Sequence, residues 1–489
     1  MSEGVDFYAF SSEGYSISVD FSGCGHDKYA ERYYDREFSY EAGHHELERS
    51  GWPWQSNDRM HIRARHLGQE VHERSVYLNS YNETTTEFSH ISLLDRANML
   101  AGAVIRENFC FCFGFYYADP SLWNKAKSAI SGFFDSSKLP NDYQLYAVVT
   151  QNQNKWMQRI FDEVRASHYG GLSLSDIKLK NLILPGSHDS GMYVRSSLPH
   201  VDFWANTQKD NTYKQLQLGA RTFDFRPGCE IKLGIPSDFE LPLAHVHMII
   251  TGESYVSFLS QIIEFLKKNQ QEIVTVVLCT DGIKGPWDIF NYQKDKISAE
   301  SRNNLLDRCF EKAREQVGYH ELQQGFKDDL ESSVETLIKA NRRLIFLCDK
   351  NMNCTADRTG SRAKTWKPKL ADSVDAGNAL QALKEFNTKD GLDSVDLFDV
   401  GLQLTGSMGS TWTNVMNTAS IFTQRDESPL VATKGMADHL TYNWLLEDNL
   451  VPDKLDKLIT MTNDWYDCGL TEVAAKMLRD RFNKLAKRS

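Results

Sequence analysis

The stretch Pro185-Gly186-Ser187-His188-Asp189-Ser190-Gly191, followed by Gly219-Ala220-Arg221-Thr222-Phe223-Asp224-Phe225-Arg226, decides how this chain reads. Asn181-Leu182-Ile183-Leu184 is an apolar, strand-like lead into the first segment, and the second alternates as a strand does. Together they set one histidine, two aspartates and an arginine at strand ends, where a β/α barrel assembles its active site. A base, orienting carboxylates and a fixed cation suit attack on a phosphodiester.

Outward from these segments, strand-like runs recur at 182–185, 220–225, 241–250, 273–279, 343–348, 397–404 and 458–463. Helical stretches lie between them. In 254–269, Tyr255, Phe258, Leu259, Ile262, Phe265 and Leu266 repeat at the helical period. Stretches 301–316, 332–340 and 471–485 are also helical. Repeated strand-then-helix units predict an α/β fold with a mainly parallel sheet, and the length fits a TIM-like (β/α) barrel with insertions. The polar region 351–395 reads as loops on the functional rim. Residues 1–152 differ: they are rich in Tyr, Phe, Ser and His, with strand-like runs at 15–21, 60–66, 76–78, 104–116 and 145–150. The expected organisation is a β-rich accessory domain over 1–152 and a catalytic barrel over 153–489.

Composition bounds the function. The 489 residues are 41% hydrophobic and 25% charged, as in globular domains, so two or three domains can each bury a core. A net charge of −11 argues against a broad electrostatic grip on nucleic acid or anionic membranes. No run approaches the roughly 18 apolar residues of a spanning helix. Met1-Ser2-Glu3-Gly4-Val5-Asp6 has neither the basic nor the apolar region of a signal peptide. The nine cysteines include no CxxC pair. Cys279 and Cys348 sit in apolar runs, and Cys110 and Cys112 share one strand face, poor geometry for bridging each other. The expectation is a cytoplasmic protein with reduced thiols.

Asp224 and Arg226 are two apart on a strand and face one side, while Arg221 faces the other and suits a salt bridge. His245 and His247 in Leu243-Ala244-His245-Val246-His247 also share a face. One of them can meet His188 across a barrel mouth, and two histidines flanking a phosphate suit general base and acid. An HxH pair can chelate zinc, but no further ligand has matching spacing. Asp464 ends the run Leu458-Ile459-Thr460-Met461-Thr462-Asn463. As the last barrel strand beside the first, that run would let Asp464 reach His188 and fix its tautomer. The N-terminal histidines His44, His45, His61, His66 and His72 read as surface residues.

These segments resemble the phosphatidylinositol-specific phospholipase C X-domain family in its bacterial-type branch. Residues 185–191 match its first-strand motif, and 219–226 match its second. Trp156-Met157 resembles the usual domain start. Trp204-Ala205-Asn206-Thr207-Gln208 and Gln215-Leu216 resemble the helix between the two strands. Phe265-Leu266-Lys267-Lys268-Asn269 with Glu272-Ile273-Val274 matches the segment after strand three. The resemblance covers 155 to about 285 well, is weak from there to 455, and returns in the final strand.

The resemblance implies a PLC-like phosphodiesterase barrel that cleaves phosphatidylinositol or a related inositol phospholipid by intramolecular attack. The products would be a cyclic inositol phosphate and diacylglycerol. His188 matches the general base, Arg226 the cation beside phosphorus, Asp189 the carboxylate paired with the general acid, Asp464 the carboxylate behind the base, and Asp224 a supporting acid. The general acid is His245 or His247, with His245 favoured, although the family's Gly after this histidine is missing. Calcium-dependent relatives carry Asn after the catalytic histidine and acids on strand two. Here Asp189 and Arg226 stand instead, so metal-independent chemistry with no cofactor is implied. Substrate-rim candidates are Asp281, Lys284, Asp349, Lys350, Trp366 and Lys369. Leu198, Phe203 and Trp204 are candidates for transient contact with a membrane phospholipid surface. Two alternatives stay open: an inactive phosphoinositide-binding barrel, and a phosphodiesterase for another lipid headgroup.

Overall fold

The structure is a computed structural model. It describes residues 4–22, 39–46, 58–78, 101–117, 143–193, 207–229, 243–247, 250–280, 298–365, 377–387, 394–403, 429–447 and 457–488. Leu198, Phe203, Trp204, Asp281, Lys284, Trp366 and Lys369 lie outside these.

The N-terminal part is two stacked sheets. Strands β1 (Gly4–Ser11), β2 (Tyr15–Ser22), β3 (Ser39–Glu46), β4 (Asp58–His66), β5 (Gln69–Leu78), β6 (Ala101–Ile105), β7 (Phe109–Tyr117) and β8 (Tyr143–Gln151) form a five-stranded sheet, ordered β3-β1-β8-β7-β6, and a three-stranded sheet, ordered β2-β4-β5. The period-2 alternation of side chains explains why the larger sheet is apolar on both faces. Phe7, Ala9, Phe109, Phe111, Phe113, Leu145, Ala147 and Val149 point to Ile17, Val19, Ile62 and Ala64 of the smaller sheet. Their neighbours Tyr8, Phe10, Cys110, Cys112, Tyr146 and Val148 point the other way and join the core of the remaining chain.

The rest is built on parallel strands β9 (Ile183–Ser187), β10 (Thr222–Phe225), β14 (Val274–Leu278), β15 (Gln324–Gly325), β16 (Leu344–Cys348), β17 (Arg362–Lys364), β18 (Leu397–Gly401) and β19 (Leu458–Asn463). Their order is β15-β16-β14-β10-β9-β19-β18-β17, so the last strand lies beside the first, with Ile459 paired to Ile183 and Asn463 to Ser187. The remaining seam is bridged just ahead of β17. Cys348 N–H donates to Arg358 O at 2.8 Å, and Gly360 N–H donates to Cys348 O at 2.9 Å. The result is a barrel of TIM type. Helices α1 (Trp156–Arg165), α2 (Thr212–Gln217), α3 (Tyr255–Lys268), α4 (Ala299–Val317), α5 (Val334–Lys339), α6 (Gly377–Asn387), α7 (Pro429–Leu446) and α8 (Cys468–Ala486) complete it. In α3 the six apolar residues at helical spacing are all buried, and Ser254 Oγ caps the helix on Ser257 N–H.

Arg221 turns away from the barrel mouth, as its spacing requires. Its Nε donates to Glu272 Oε2 at 2.7 Å, with both side chains fully buried, and its remaining N–H groups bind the carbonyls of Leu216, Ala220 and Asn154. This fixes β10 to the start of α1.

Five segments differ from the sequence reading. The run 104–116 is not one strand but the hairpin β6–β7, turned at Arg106–Asn108, where Arg106 N–H bonds Phe109 O. Strands β1 and β3 were not anticipated. The run 241–250 is split into β12 (Leu243–His247) and β13 (Ile250–Ser254), which with β11 (Pro227–Cys229) form a separate antiparallel ribbon, not a barrel strand. The polar stretch 351–395 contains the barrel strand β17 and helix α6. Lys327 and Asp396 pair at 3.4 Å near the base of this stretch.

Helices α7 and α8 lie against the outer face of the larger N-terminal sheet. Expressing 153–489 alone exposes that apolar surface, so this fragment is expected to aggregate or to melt without cooperativity. Recovery of a monomer melting like the full chain would show that the barrel core suffices by itself.

Candidate active site

The site is built at the carboxyl ends of β9, β10 and β19. β9 ends at Ser187, and the chain turns sharply. His188 N–H donates to Asn463 O at 3.1 Å, Ser190 N–H and Oγ both reach Asp224 O, and Thr207 Oγ1 donates to Asp189 O at 3.0 Å. Asp189 takes a left-handed backbone conformation, φ 45°, unusual for a non-glycine residue. Two glycines make this packing possible. A Cβ on Gly186 would run into the Thr222 carbonyl of the adjacent strand, and one on Gly191 would lie 2.7 Å from His245 Cβ.

Every catalytic candidate converges here. His188 Nδ1 is 2.8 Å from Asp464 Oδ1, and its Nε2 is 2.8 Å from Arg226 Nη2. Asp189, wholly buried, is the hub. Its Oδ1 lies 2.7 Å from Arg226 Nε and 3.4 Å from His245 Nε2, and its Oδ2 lies 3.1 Å from His247 Nδ1 and 3.4 Å from His188 Nε2. Arg226 Nη1 is 3.0 Å from His247 Nδ1, and Nη2 is 3.5 Å from Asp224 Oδ2. The two ribbon histidines therefore do share a face, but their environments differ. His245 is fully buried, its ring edge-on to Phe225 and its Nδ1 3.4 Å from the Arg226 backbone N–H. His247 is partly open at the mouth.

The charges compete for His188. Burial disfavours the imidazolium, but the carboxylates of Asp189 and Asp464 outweigh it and the opposing Arg226, and the pKa rises to about 9. Arg226 Nη2 is a donor to Nε2 only while that nitrogen carries no proton, so the neutral ring is the Nδ1–H tautomer bound to Asp464. Burial works against ionised Asp189, yet Arg226, His188 and His247 hold its pKa well below the usual carboxylate range. Burial lowers the pKa of His245 and raises that of Asp464.

A further cation was missed by sequence reasoning. Arg362 on β17 places Nε 2.6 Å from Asp349 Oδ2, and Nη1 3.2 Å from Asp399 Oδ2 and 3.6 Å from Asp224 Oδ1. Asp224 also accepts from Cys279 Sγ–H at 2.8 Å. The only signal was a charged, alternating Arg-Ala-Lys triplet in a stretch otherwise lacking strand character. Lys350 lies exposed on the 3₁₀ turn Lys350–Met352 after β16.

His188, Asp189 and Asp224 offer ligand atoms within 4.8 Å of one another, which is a metal-like grouping among the described residues. Arg226 already sits against both carboxylates. A divalent ion there would face a guanidinium at contact distance, so the donor set fits a cation poorly.

No family model matches the chain. It is similar to a PI-PLC X-box domain-containing protein of Dictyostelium discoideum, with 33% identity over 116 residues, 21% of this chain. The match spans only 14% of that relative's length. Among solved structures it is similar to a point variant of the phosphatidylinositol-specific phospholipase C from Staphylococcus aureus, with 15% identity, 66% of this chain and 96% of that one covered, and a TM-score of 0.40. The enzyme of the same name from Listeria monocytogenes gives 15% identity, 66% and 98% coverage, and a TM-score of 0.39.

The sign of the His188 shift sets a pH dependence. A folded pKa of about 9 against an ordinary 6.5 adds stability that is fully present below about pH 6.5 and is lost as pH rises through 9. Ring titration by NMR should therefore give a midpoint near 9, and Asp464→Asn should bring it down. A midpoint at or below the ordinary value would mean that the two carboxylates do not govern this ring.

Proposed function

We propose that this chain, placed with the phosphatidylinositol-specific phospholipase C X-domain family by its motifs and its Dictyostelium relative, cleaves phosphatidylinositol or a related inositol phospholipid by intramolecular attack. The observation that carries this reading is the orientation of His188, tied through Nδ1 to Asp464 while Nε2 faces Arg226 at 2.8 Å. A histidine held this way presents one nitrogen to a substrate hydroxyl beside a fixed positive charge.

In this reading the neutral, Nδ1–H form of His188 takes the proton from the inositol 2-hydroxyl on Nε2 as its oxygen attacks phosphorus, and because the ring's pKa is raised to about 9 the rate should climb with pH towards that value. The bond from phosphorus to the diacylglycerol oxygen breaks, and that oxygen receives a proton from the general acid. A 1,2-cyclic inositol phosphate and diacylglycerol result. Arg226 meets the negative charge that builds on the phosphoryl oxygens. The sequence favoured His245 as acid, but His247 suits the role better. His245 is sealed between Phe225 and Asp189, whereas His247 is partly open and lies beside both Arg226 and Asp189. Asp189 lies within 3.4 Å of either ring and meets the acid from inside the mouth.

Arg226 packed between Asp189 and Asp224 supports chemistry that needs no metal. Arg362 with Asp349 and Asp399 supplies a polar wall next to Asp224, suited to a headgroup bearing many hydroxyls. No helix among the described residues is long and apolar enough to cross a membrane. We place the protein in the cytoplasm, with transient peripheral contact to its lipid. Cys110, Cys112, Cys279, Cys309, Cys348, Cys354 and Cys468 are free thiols.

Purified full chain on phosphatidylinositol vesicles is expected to release cyclic inositol phosphate at equal rates with and without EDTA. His188→Ala should lose about 10²–10⁴ in kcat. Product formation unaffected by His188→Ala would refute the base assignment, and a strict calcium requirement would refute the role of Arg226.

Comparing two histidine variants tests the acid. His247→Ala should lose kcat on phosphatidylinositol far more than on a substrate with a better leaving group, which needs no protonation. His245→Ala should mainly lower the melting temperature, since it removes a buried partner of Asp189. The reverse pattern would restore His245 as the acid.

A further inference from the structure

Helix α7 carries a lysine with no place in the chemistry above. Lys434 is buried, with Nζ 2.6 Å from Asp438 Oδ2 and 2.7 Å from Asp467 Oδ2. All three side chains are at most 2% exposed. The ammonium also lies 5.4 Å from the ring centre of Tyr146 on β8, in the N-terminal sheet. Asp467 Oδ1 caps helix α8 through the N–H groups of Gly469 and Leu470. A buried ion cluster is seldom the most stable filling of such a space, because apolar residues avoid its desolvation cost.

The bond leaving this cluster explains it. Asp438 Oδ1 accepts from Asn463 Nδ2 at 2.7 Å, and that Nδ2 is also 3.3 Å from the Tyr442 hydroxyl. An ionised carboxylate only accepts, so the amide must turn its NH₂ to Asp438 and its oxygen the other way. Asn463 Oδ1 then accepts the backbone N–H of Asp464 at 2.9 Å. Asn463 O accepts His188 N–H at 3.1 Å and Gln208 Nε2 at 3.0 Å. The next residue, Trp465, is in the left-handed region at φ 50°, with its N–H on Thr207 O at 2.7 Å. Asp464 thus sits in a tight turn whose entry is set by one amide, and that amide is set by Asp438.

We infer that Lys434 and Asp438 are positioning residues that hold Asp464 against His188 through Asn463, joining the N-terminal sheet to the support of the base. The inference rests on His188 being the base. Burial and the neighbouring Asp467 push Asp438 up to about 6, Lys434 counters them, and Asp438 keeps the amide of Asn463 from flipping. None of the three touches substrate.

The test is the double substitution Lys434→Met with Asp438→Leu, which removes the buried charges together and leaves Asn463 without its carboxylate. Its fold is checked by melting and circular dichroism. The His188 ring titration is then followed by NMR, and kcat and KM are measured on phosphatidylinositol vesicles. The expected result is a titration midpoint lowered by about one unit, because Asp464 no longer holds its place. A roughly ten- to hundredfold lower kcat with KM unchanged should accompany it. Asp438→Asn, which keeps an acceptor for Asn463, should recover most of the midpoint. If the double variant does not fold, Asn463→Ser, too short to reach Asp438, carries the same two readouts against Asp438→Asn. A folded variant with an unmoved His188 midpoint overturns the inference, whatever its activity. The titration needs no turnover, so a wild type that cleaves no phosphatidylinositol defeats the base reading and leaves this arm to decide the linkage.

Discussion

The site depends on one buried negative charge. Asp189 is fully excluded from water and held at a positive φ, both unfavourable for a carboxylate-bearing residue. Arg226 and three histidines offset this by meeting it from β10, the β9 turn and the antiparallel ribbon. Without it His245 and His247 would each lose a carboxylate partner. The ribbon β11-β12-β13 shares no ladder with the barrel sheet; the contacts of His245 and His247 with Asp189, and the bond from Glu253 N–H to Gly191 O, tie it to the β9 turn.

A second ring of charge surrounds the first. Asp224 faces Arg226 on one side and Arg362 on the other, and Arg362 reaches on to Asp349 and Asp399. Acids and arginines alternate across β10, β16, β17 and β18. Such alternation gives every acid a guanidinium at contact range in a poorly hydrated mouth. Burial alone would raise Asp224, but Arg226 above all holds its pKa below the usual carboxylate range.

Much of this was legible where local chemistry is strict. The turn 185–191 needs glycines at two close approaches and polar groups between them, so its residue types are nearly determined by geometry. Spacing of two placed Asp224 and Arg226 together and sent Arg221 away. What escaped has physical reasons. β17 is three residues long and polar, so neither hydrophobic period nor length marks it, and Arg362 went unnoticed with it. The hairpin β6–β7 read as one strand because its three-residue turn, Arg106-Glu107-Asn108, lacks glycine or proline. His245 and His247 lie on a strand as expected, but alternation cannot tell a barrel strand from an antiparallel ribbon. The linkage through Lys434 was beyond sequence reasoning, since a lysine in a helix reads as a solvated face until its partners are known.

The closure of the barrel has a consequence for how the molecule comes into being. His188 and Asp464 are 276 positions apart in sequence, yet β9 and β19 are neighbouring strands. During synthesis the first motif emerges long before its partner strand exists, and the larger N-terminal sheet likewise waits for α7 and α8 to cover its outer face. The nascent chain must therefore carry an unpaired β9 edge and an uncovered apolar sheet until its last segment arrives. A ribosome stall or a premature stop anywhere before Asp464 leaves a polypeptide holding the motif but none of the site. Such a product lacks the site altogether rather than holding a weakened one.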